Sequence, residues 1–406
     1  MPWLIALVTV VATYVSLGLG RLPGFRVDRP GIAIIGAAVM VVTEVVPWDA
    51  AVAAVDAHTL VLLFGMMIVA AYLRLSGFFR VVAAWAAARA RTPSALLALI
   101  TLASGVLSAL FVNDVVCFVL APLVLQMARR VGRGPVPYLV ALATAANVGS
   151  VATLTGNPQN MVIGSLSGIG YREFLVREGP IAAAGLLCVF VAVRLVYRRE
   201  LRGGLEAAPI PPGAVHYVLM VKTLLVVLVM LAAFLAGVPI AVVAIAGAAY
   251  TLLTRRVKPE KVYREIDWGL LVLFTGLFVV IGGVERTGLG QDLLDLASAV
   301  NLHRPAVLVI ATAVLSNLVS NVPAVLLFKP LMATFAEPTR AWLLLAAAST
   351  LAGNLTLIGS VANLIVVEVA RRHRVQIGFL EYCKVGIPLT IVTLVIAWAV
   401  LVLVPV

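Results

Sequence analysis

Long apolar runs recur from one end of the chain to the other, each near the ~20 residues that a helix needs to cross a bilayer. The chain is 63% hydrophobic and 12% charged, with a mean hydropathy of +1.11. A soluble domain is nearer half apolar and a quarter charged. A transmembrane barrel would need short alternating segments, which are missing. The first run, "WLIALVTVVATYVSLGLG", has no basic leader and no small-residue cleavage site, so it reads as a retained span and not a signal peptide. The sequence therefore predicts an all-α polytopic membrane protein.

Ten spans are predicted, over 2–20, 31–47, 57–75, 137–164, 179–197, 216–236, 238–254, 267–284, 341–369 and 385–404. Two further apolar stretches, 93–129 and 305–335, are each divided by a polar tip, "FVNDV" and "VSNVP". Their halves are short for a full crossing. With the N-terminus outside, 24 of the 30 Lys and Arg residues fall in cytoplasmic segments. Arg172, Arg177, Arg286, Arg304 and Arg340 stay outside, and Lys329 lies within an apolar stretch. This is the positive-inside pattern, and it accounts for the net charge of +12 without a nucleic acid partner. The count closes only if 93–129 enters and leaves on the inside and 305–335 on the outside, as two opposed re-entrant hairpins. Both termini are then outside.

The halves match each other. "VDAHTLVLLFG" resembles "IDWGLLVLFTG", "VNDVVCFVLAP" resembles "SNVPAVLLFKP", and "LTGNPQN" resembles "LIGSVAN". This predicts an inverted repeat of two halves, 1–198 and 216–406, joined by a cytoplasmic linker at 199–215, "RELRGGLEAAPIPPGAV". Interrupted segments at matching positions point to a transporter's binding site.

"GNPQN" lies in the middle of the fourth span. Non-helical backbone is tolerated at that depth only where it packs in protein or lines a cavity. Pro158 fits the first turn of a new helix, so the span should stop near Thr155-Gly156 and restart at Pro158. The mate, "LIGSVAN", should break more gently at Gly359-Ser360. The tips Asn113 and Asn321 and the breaks Asn157 and Ser360 then meet near the midplane. Unsatisfied carbonyls at one helix end suit a cation, and N–H groups at the other suit an anion or polar oxygens. The expected solute ligands are Asn113, Asn157, Gln159, Asn160, Ser320, Asn321, Ser360 and Asn363. The expected coupling-ion residues are Asp114, Asn113, Thr155, Gly156, Asn160, Asn321, Gly359 and Asn363.

These hairpin tips and "GxPxN" breaks resemble the ion transporter superfamily, which includes divalent anion/sodium symporters, citrate transporters and arsenite permeases. "TGNPQN" is most similar to its anion-permease branch, and "VNDV" to the arsenite permeases. The resemblance implies a homodimer and sodium or proton coupling. It pairs Asn113 with Asn160 in one half-site and Asn321 with Asn363 in the other. The symporters carry Ser-Asn-Thr at both tips; here the tips read Val112-Asn113-Asp114 and Ser320-Asn321-Val322.

Asp114 is a carboxylate deep in the bilayer, which points to ion or proton coupling, with a helix cap as the alternative. Lys329 could neutralise Asp114 or an anion, or snorkel to the surface. Glu44, Glu285 and Glu368, and His58, His216, His303 and His373, sit near span boundaries and read as interfacial. Asn354 heads a sequon, "NLT", but within a span, where it should stay unmodified. The segment 77–91 should lie along the inner surface. Cys117, Cys188 and Cys383 show no metal or disulfide spacing. No HExxH, GxSxG or paired acids inside spans support an enzyme. The expected activity is secondary transport of a small anion, an oxyanion or carboxylate, without a cofactor. The alternatives are efflux of a neutral metalloid acid such as arsenite or silicic acid, and an uncoupled channel.

Overall fold

The structure, a computed structural model, describes residues 2–20, 22, 24–205 and 214–404. The central part of the expected linker, 206–213, lies outside the described residues. The first half of the chain contributes α1 (Pro2–Leu19), α2 (Arg29–Val42), α3 (Trp48–Ala54), α4 (Ala57–Ser76), α5 (Phe78–Arg89), α6 (Pro93–Leu110), α7 (Asn113–Arg130), α8 (Val136–Ser150), α9 (Pro158–Ser167) and α10 (Tyr171–Val196). The second contributes α11 (Tyr217–Leu235), α12 (Ile240–Leu252), α13 (Pro259–Tyr263), α14 (Trp268–Arg286), α15 (Leu289–Ala299), α16 (Pro305–Val319), α17 (Asn321–Phe328), α18 (Pro338–Ala352), α19 (Val361–Arg372) and α20 (Phe379–Leu403). A 3-10 turn, Lys329–Thr334, continues α17. No strand occurs among the described residues.

The protein is a multi-pass membrane protein. Among the described residues, 7 helices are long and apolar enough to cross a bilayer: α1, α4, α6, α10, α11, α14 and α20; α6, in the stretch 93–129, is longer than the short arm expected there. The remaining apolar helices are shorter, and the chemistry of their ends explains why. The expected span 31–47 stops at Val42. There Thr43 Oγ1 donates back to the Val39 carbonyl at 2.6 Å, Glu44 turns through φ 57°, and Pro47 cannot continue the ladder. Spans 179–197 and 385–404 begin earlier than expected, at Tyr171 and Phe379. Their first two turns carry Arg172, Glu173, Glu381 and Lys384, polar residues that hide a helix start from a hydropathy reading. The segment 77–91 is helical as α5, but it tucks Phe79, Ala83 and Ala86 against α6 and α7. Helix α15 occupies the corresponding place in the second half, where no element was expected.

Packing repeats between the halves. Helix α2 lies on α14 and α12 on α4; α6 lies on α8 and α16 on α18; α7 meets α19 and α9 meets α17. Helices α10 and α20 pack on each other. Matched glycines permit the crossed contacts. A Cβ on Gly65 would stand 2.7 Å from the Ala244 carbonyl, and one on Gly276 would stand 2.6 Å from that of Ala33. Close backbone approach at small residues is how helices associate in lipid, where no hydrophobic force drives them together.

Candidate functional site

Two hairpin tips and two helix breaks converge at the centre. Helix α8 ends at Ser150, one turn before the expected stop, and α9 starts at Pro158 as expected. Asn157 caps α9, its Oδ1 accepting from the Asn160 amide at 2.8 Å. Helix α18 ends at Ala352 and α19 starts at Val361, where Ser360 Oγ accepts from the Ala362 amide at 3.2 Å. The second break is as wide as the first, not gentler.

The same clamp holds both open. Asn160 Nδ2 donates to the carbonyls of Ser150 at 3.1 Å and Thr153 at 3.0 Å. Asn363 Nδ2 donates to those of Gly353 at 2.8 Å and Thr356 at 3.2 Å. One amide thereby serves two carbonyls left orphaned at the end of the preceding helix. Glycine hidden in each break is a steric need. A Cβ on Gly156 would stand 2.8 Å from Ser150 Cα, and one on Gly359 would stand 2.6 Å from Asn317 Oδ1.

Cross-links tie the halves together. Asn147, on α8, donates through Nδ2 to Asn354 Oδ1 at 2.8 Å and Asn363 Oδ1 at 3.1 Å. Its own Oδ1 accepts from Asn113 Nδ2 and from Ser360 Oγ, both at 3.0 Å. In the mirror position on α18, Thr350 Oγ1 accepts from Asn157 Nδ2 at 3.2 Å and Gln159 Nε2 at 3.0 Å. The first tip is docked by its backbone, Asn113 N donating to the Gly156 carbonyl at 3.0 Å. The second tip is different: Ser320 holds φ 80°, ψ 160°, a region that only glycine occupies freely.

Between these elements lies a cavity of about 320 Å³. Asn113, Asp114 and Gln159 line it from the first half, and Ser320, Asn321 and Ser360 from the second. Asp28, Arg29 and Asp267 also line it; both acids are exposed, so they mark its mouth. Asp28 accepts from the Gly31 amide at 3.0 Å and Asp267 from the Leu270 amide at 2.9 Å, so each is fixed as a helix cap. Asp114, half-buried, also lines a second cavity of about 240 Å³ with Arg74, Arg264, Glu265 and Asp267. Asp267 lines both cavities with it. Arg74 is ion-paired to Glu265, at the wall of this vestibule.

Six of the expected residues thus gather at the cavity. Asn157, Asn160, Asn363, Gly156 and Gly359 lie behind it and shape the breaks. Thr155 also sits behind, its Oγ1 3.2 Å from Tyr171 OH. The side-chain Oδ1 atoms of Asn113, Asn160 and Asn321 are buried with no hydrogen-bond partner among the described residues. Lys329 faces neither Asp114 nor the cavity; it pairs with Glu285 at 2.8 Å. Glu368 pairs with Arg371 and Arg372. No group of three or more His, Cys, Asp or Glu residues suited to a metal ion occurs among the described residues.

Sequence reasoning did not single out Asn147, Thr350, Asn317, Asp28, Arg29 or Asp267. Asn147 left one signal, an amide buried in an otherwise apolar run. Asn354 was noticed only as a sequon; it is buried, donating to the Thr144 carbonyl at 3.1 Å.

The family described as "Citrate transporter" matches residues 8–352. A silicon efflux transporter of rice, Oryza sativa subsp. japonica, is 32% identical, covering 91% of this chain and 91% of its own length. An uncharacterized transporter of Mycobacterium tuberculosis is 28% identical, covering 97% of this chain and 96% of its own. Among solved structures, the YdaH transporter of Alcanivorax borkumensis is similar in fold, with a TM-score of 0.60 at 18% identity, covering 98% and 97% of the two chains.

Proposed function

The chain belongs to the citrate transporter family and is a secondary transporter, and from that premise we propose that it moves a small, neutral, hydroxylated inorganic acid, of the silicic or arsenous type, against protons. One observation carries this reading. Asp28 and Asp267 line the cavity against a single cation, Arg29, and Asp114 beside them adds no positive charge in either protonation state. Such a wall repels an anion. The remaining polar lining, from Asn113, Gln159, Ser320, Asn321 and Ser360, offers both donors and acceptors to hydroxyl groups. The similarity to a silicon efflux transporter supports the same solute class.

Asp114 takes the coupling role. It stands between the cavity and the vestibule, where a carboxyl group could take up and release a proton on either side. Sodium is the second candidate ion, favoured by the unpartnered oxygens of Asn113, Asn160 and Asn321. An anionic substrate is the second candidate solute, favoured by Arg29. The crossed helix contacts support an inverted repeat with opposed hairpins, the distribution of Lys and Arg supports basic loops in the cytoplasm and both termini outside, and the similarity to a mycobacterial transporter supports a prokaryotic plasma membrane. Thermal-shift titration of the purified protein tests the solute class. Silicic acid or arsenite should raise the unfolding midpoint and citrate should not; the reverse order would assign the cavity to an anion.

A further inference from the structure

On the lipid-facing side, away from the solute cavity, α11 and α12 leave a groove of about 700 Å³ between them. Val221, Leu225 and Val229 form one wall, and Val242, Ala246 and Tyr250 the other. Gly247 lets α12 pack closely on α11 beneath it, because a Cβ there would stand 2.9 Å from Met230 Cγ. The groove runs from Val218 to Ala233, about 22 Å at 1.5 Å per residue. That is long enough for an acyl chain to cross one leaflet of a ~30 Å hydrocarbon core.

The groove does not end in a neutral interface. Lys222 stands at its end, its Nζ donating to the carbonyls of Tyr250 at 2.9 Å and Leu253 at 2.7 Å, over the Tyr250 ring. Directly after Leu253 the chain lines a second cavity, of about 680 Å³, with Thr254, Arg255, Arg256, Lys258 and Lys261, and His216 joins them. These four cations are exposed, and no described acid pairs with them. Glu260 is the only acid in the loop from Thr254 to Arg264.

We propose that the groove and this basic cavity, joined where Lys222 holds the Leu253 carbonyl beside Thr254, form a site for an acidic phospholipid, with one acyl chain between α11 and α12 and the phosphate headgroup among Lys222, Arg255 and Arg256. Charge complementarity selects the occupant. An uncharged lipid would fill the groove but leave the cations unpaired, whereas basic pockets beside membrane helices hold anionic headgroups. The leaflet follows from the topology proposed above; the binding itself does not depend on it.

Native mass spectrometry of the detergent-solubilised protein, with equal phosphatidylglycerol and phosphatidylcholine added, tests the site. Wild type should retain phosphatidylglycerol preferentially. Arg255→Gln with Arg256→Gln, both in an exposed loop, should lower that retention by about fivefold per charge removed. Lys222→Gln should add to the loss, and Leu225→Trp should lower retention of both lipids by filling the groove. Inorganic phosphate and glycerol phosphate, without acyl chains, should not compete. Equal retention of the two lipids, or unchanged retention in the double loop variant, would overturn the proposal. Competition by free phosphate would assign the pocket to a soluble anion instead. A lipid-free dimer that Leu225→Trp dissociates would put a second copy of the chain in the groove. Because the readout is bound lipid, a failed transport assay would count against the solute reading alone.

Discussion

Asn147 holds the two halves in register: its Nδ2 donates to Asn354 at 2.8 Å and to Asn363 at 3.1 Å, while its Oδ1 receives Asn113 and Ser360. One side chain thereby joins the first hairpin tip to the second helix break, and its polar valences are filled.

Replacing Asn147 by Leu, similar in volume, should strand four buried polar groups at once. The expected cost is about 1–3 kcal/mol of stability for each group that finds no other partner, with transport lost even in the protein that folds. Thermal unfolding in detergent and reconstituted transport check the two parts separately. Transport near the wild-type rate in a folded Asn147→Leu protein would remove the cross-link from the account.

Ser320 is expected to store strain at the second tip. At φ 80° a glycine is relaxed where serine is not, so Ser320→Gly should gain about 1 kcal/mol. Ser320→Ala keeps the strain and removes only the hydroxyl, so it isolates the backbone effect. An unfolding midpoint for Ser320→Gly at or below that of Ser320→Ala would show that the tip stores none.

The Lys329–Glu285 pair should be dispensable for transport. Both side chains are partly exposed, and such pairs contribute at most about 1 kcal/mol. Lys329→Met should transport normally with little change in stability. A transport loss that the exchange Lys329→Glu with Glu285→Lys fails to restore would place Lys329 in the solute path after all.

Topology is open to a direct check. A cysteine at Gly204, in a background lacking the three native cysteines, should react with an impermeant maleimide only after the cells are opened. Labelling of intact cells would reverse the orientation proposed here.

The tips and breaks were readable in the sequence because each interrupts an apolar run with residues that helices avoid there: Asn113-Asp114, Ser320-Asn321, Gly156 to Pro158 and Gly359-Ser360. What each polar residue does was less readable. Asn160 and Asn363 are expected as ligands from their place beside the breaks; that their Nδ2 groups also hold backbone carbonyls was not readable, because it depends on how far the chain folds back after Ser150 and Ala352. Asn147 sits inside an uninterrupted helix, so no periodicity marks it; only its partners from the other half give it meaning. The cavity mouth was missed for a related reason. Asp28 and Asp267 read locally as helix caps, which they are, and only the crossing of α2 with α14 brings them beside Asp114. Helix α15 escaped because its Gln291, Asp292 and Asp295 break up an already short apolar pattern.

The central claim is that Asp114 couples a neutral acid to the proton gradient. Proteoliposomes carrying wild type or Asp114→Asn, given a pH gradient without sodium and then a sodium gradient at equal pH, test it with silicic acid or arsenite as the solute. The pH gradient alone should drive accumulation in wild type, and Asp114→Asn, fixed as the neutral form, should exchange solute but not accumulate it. Accumulation driven only by sodium, or a pH-driven gradient that Asp114→Asn leaves intact, would contradict the account.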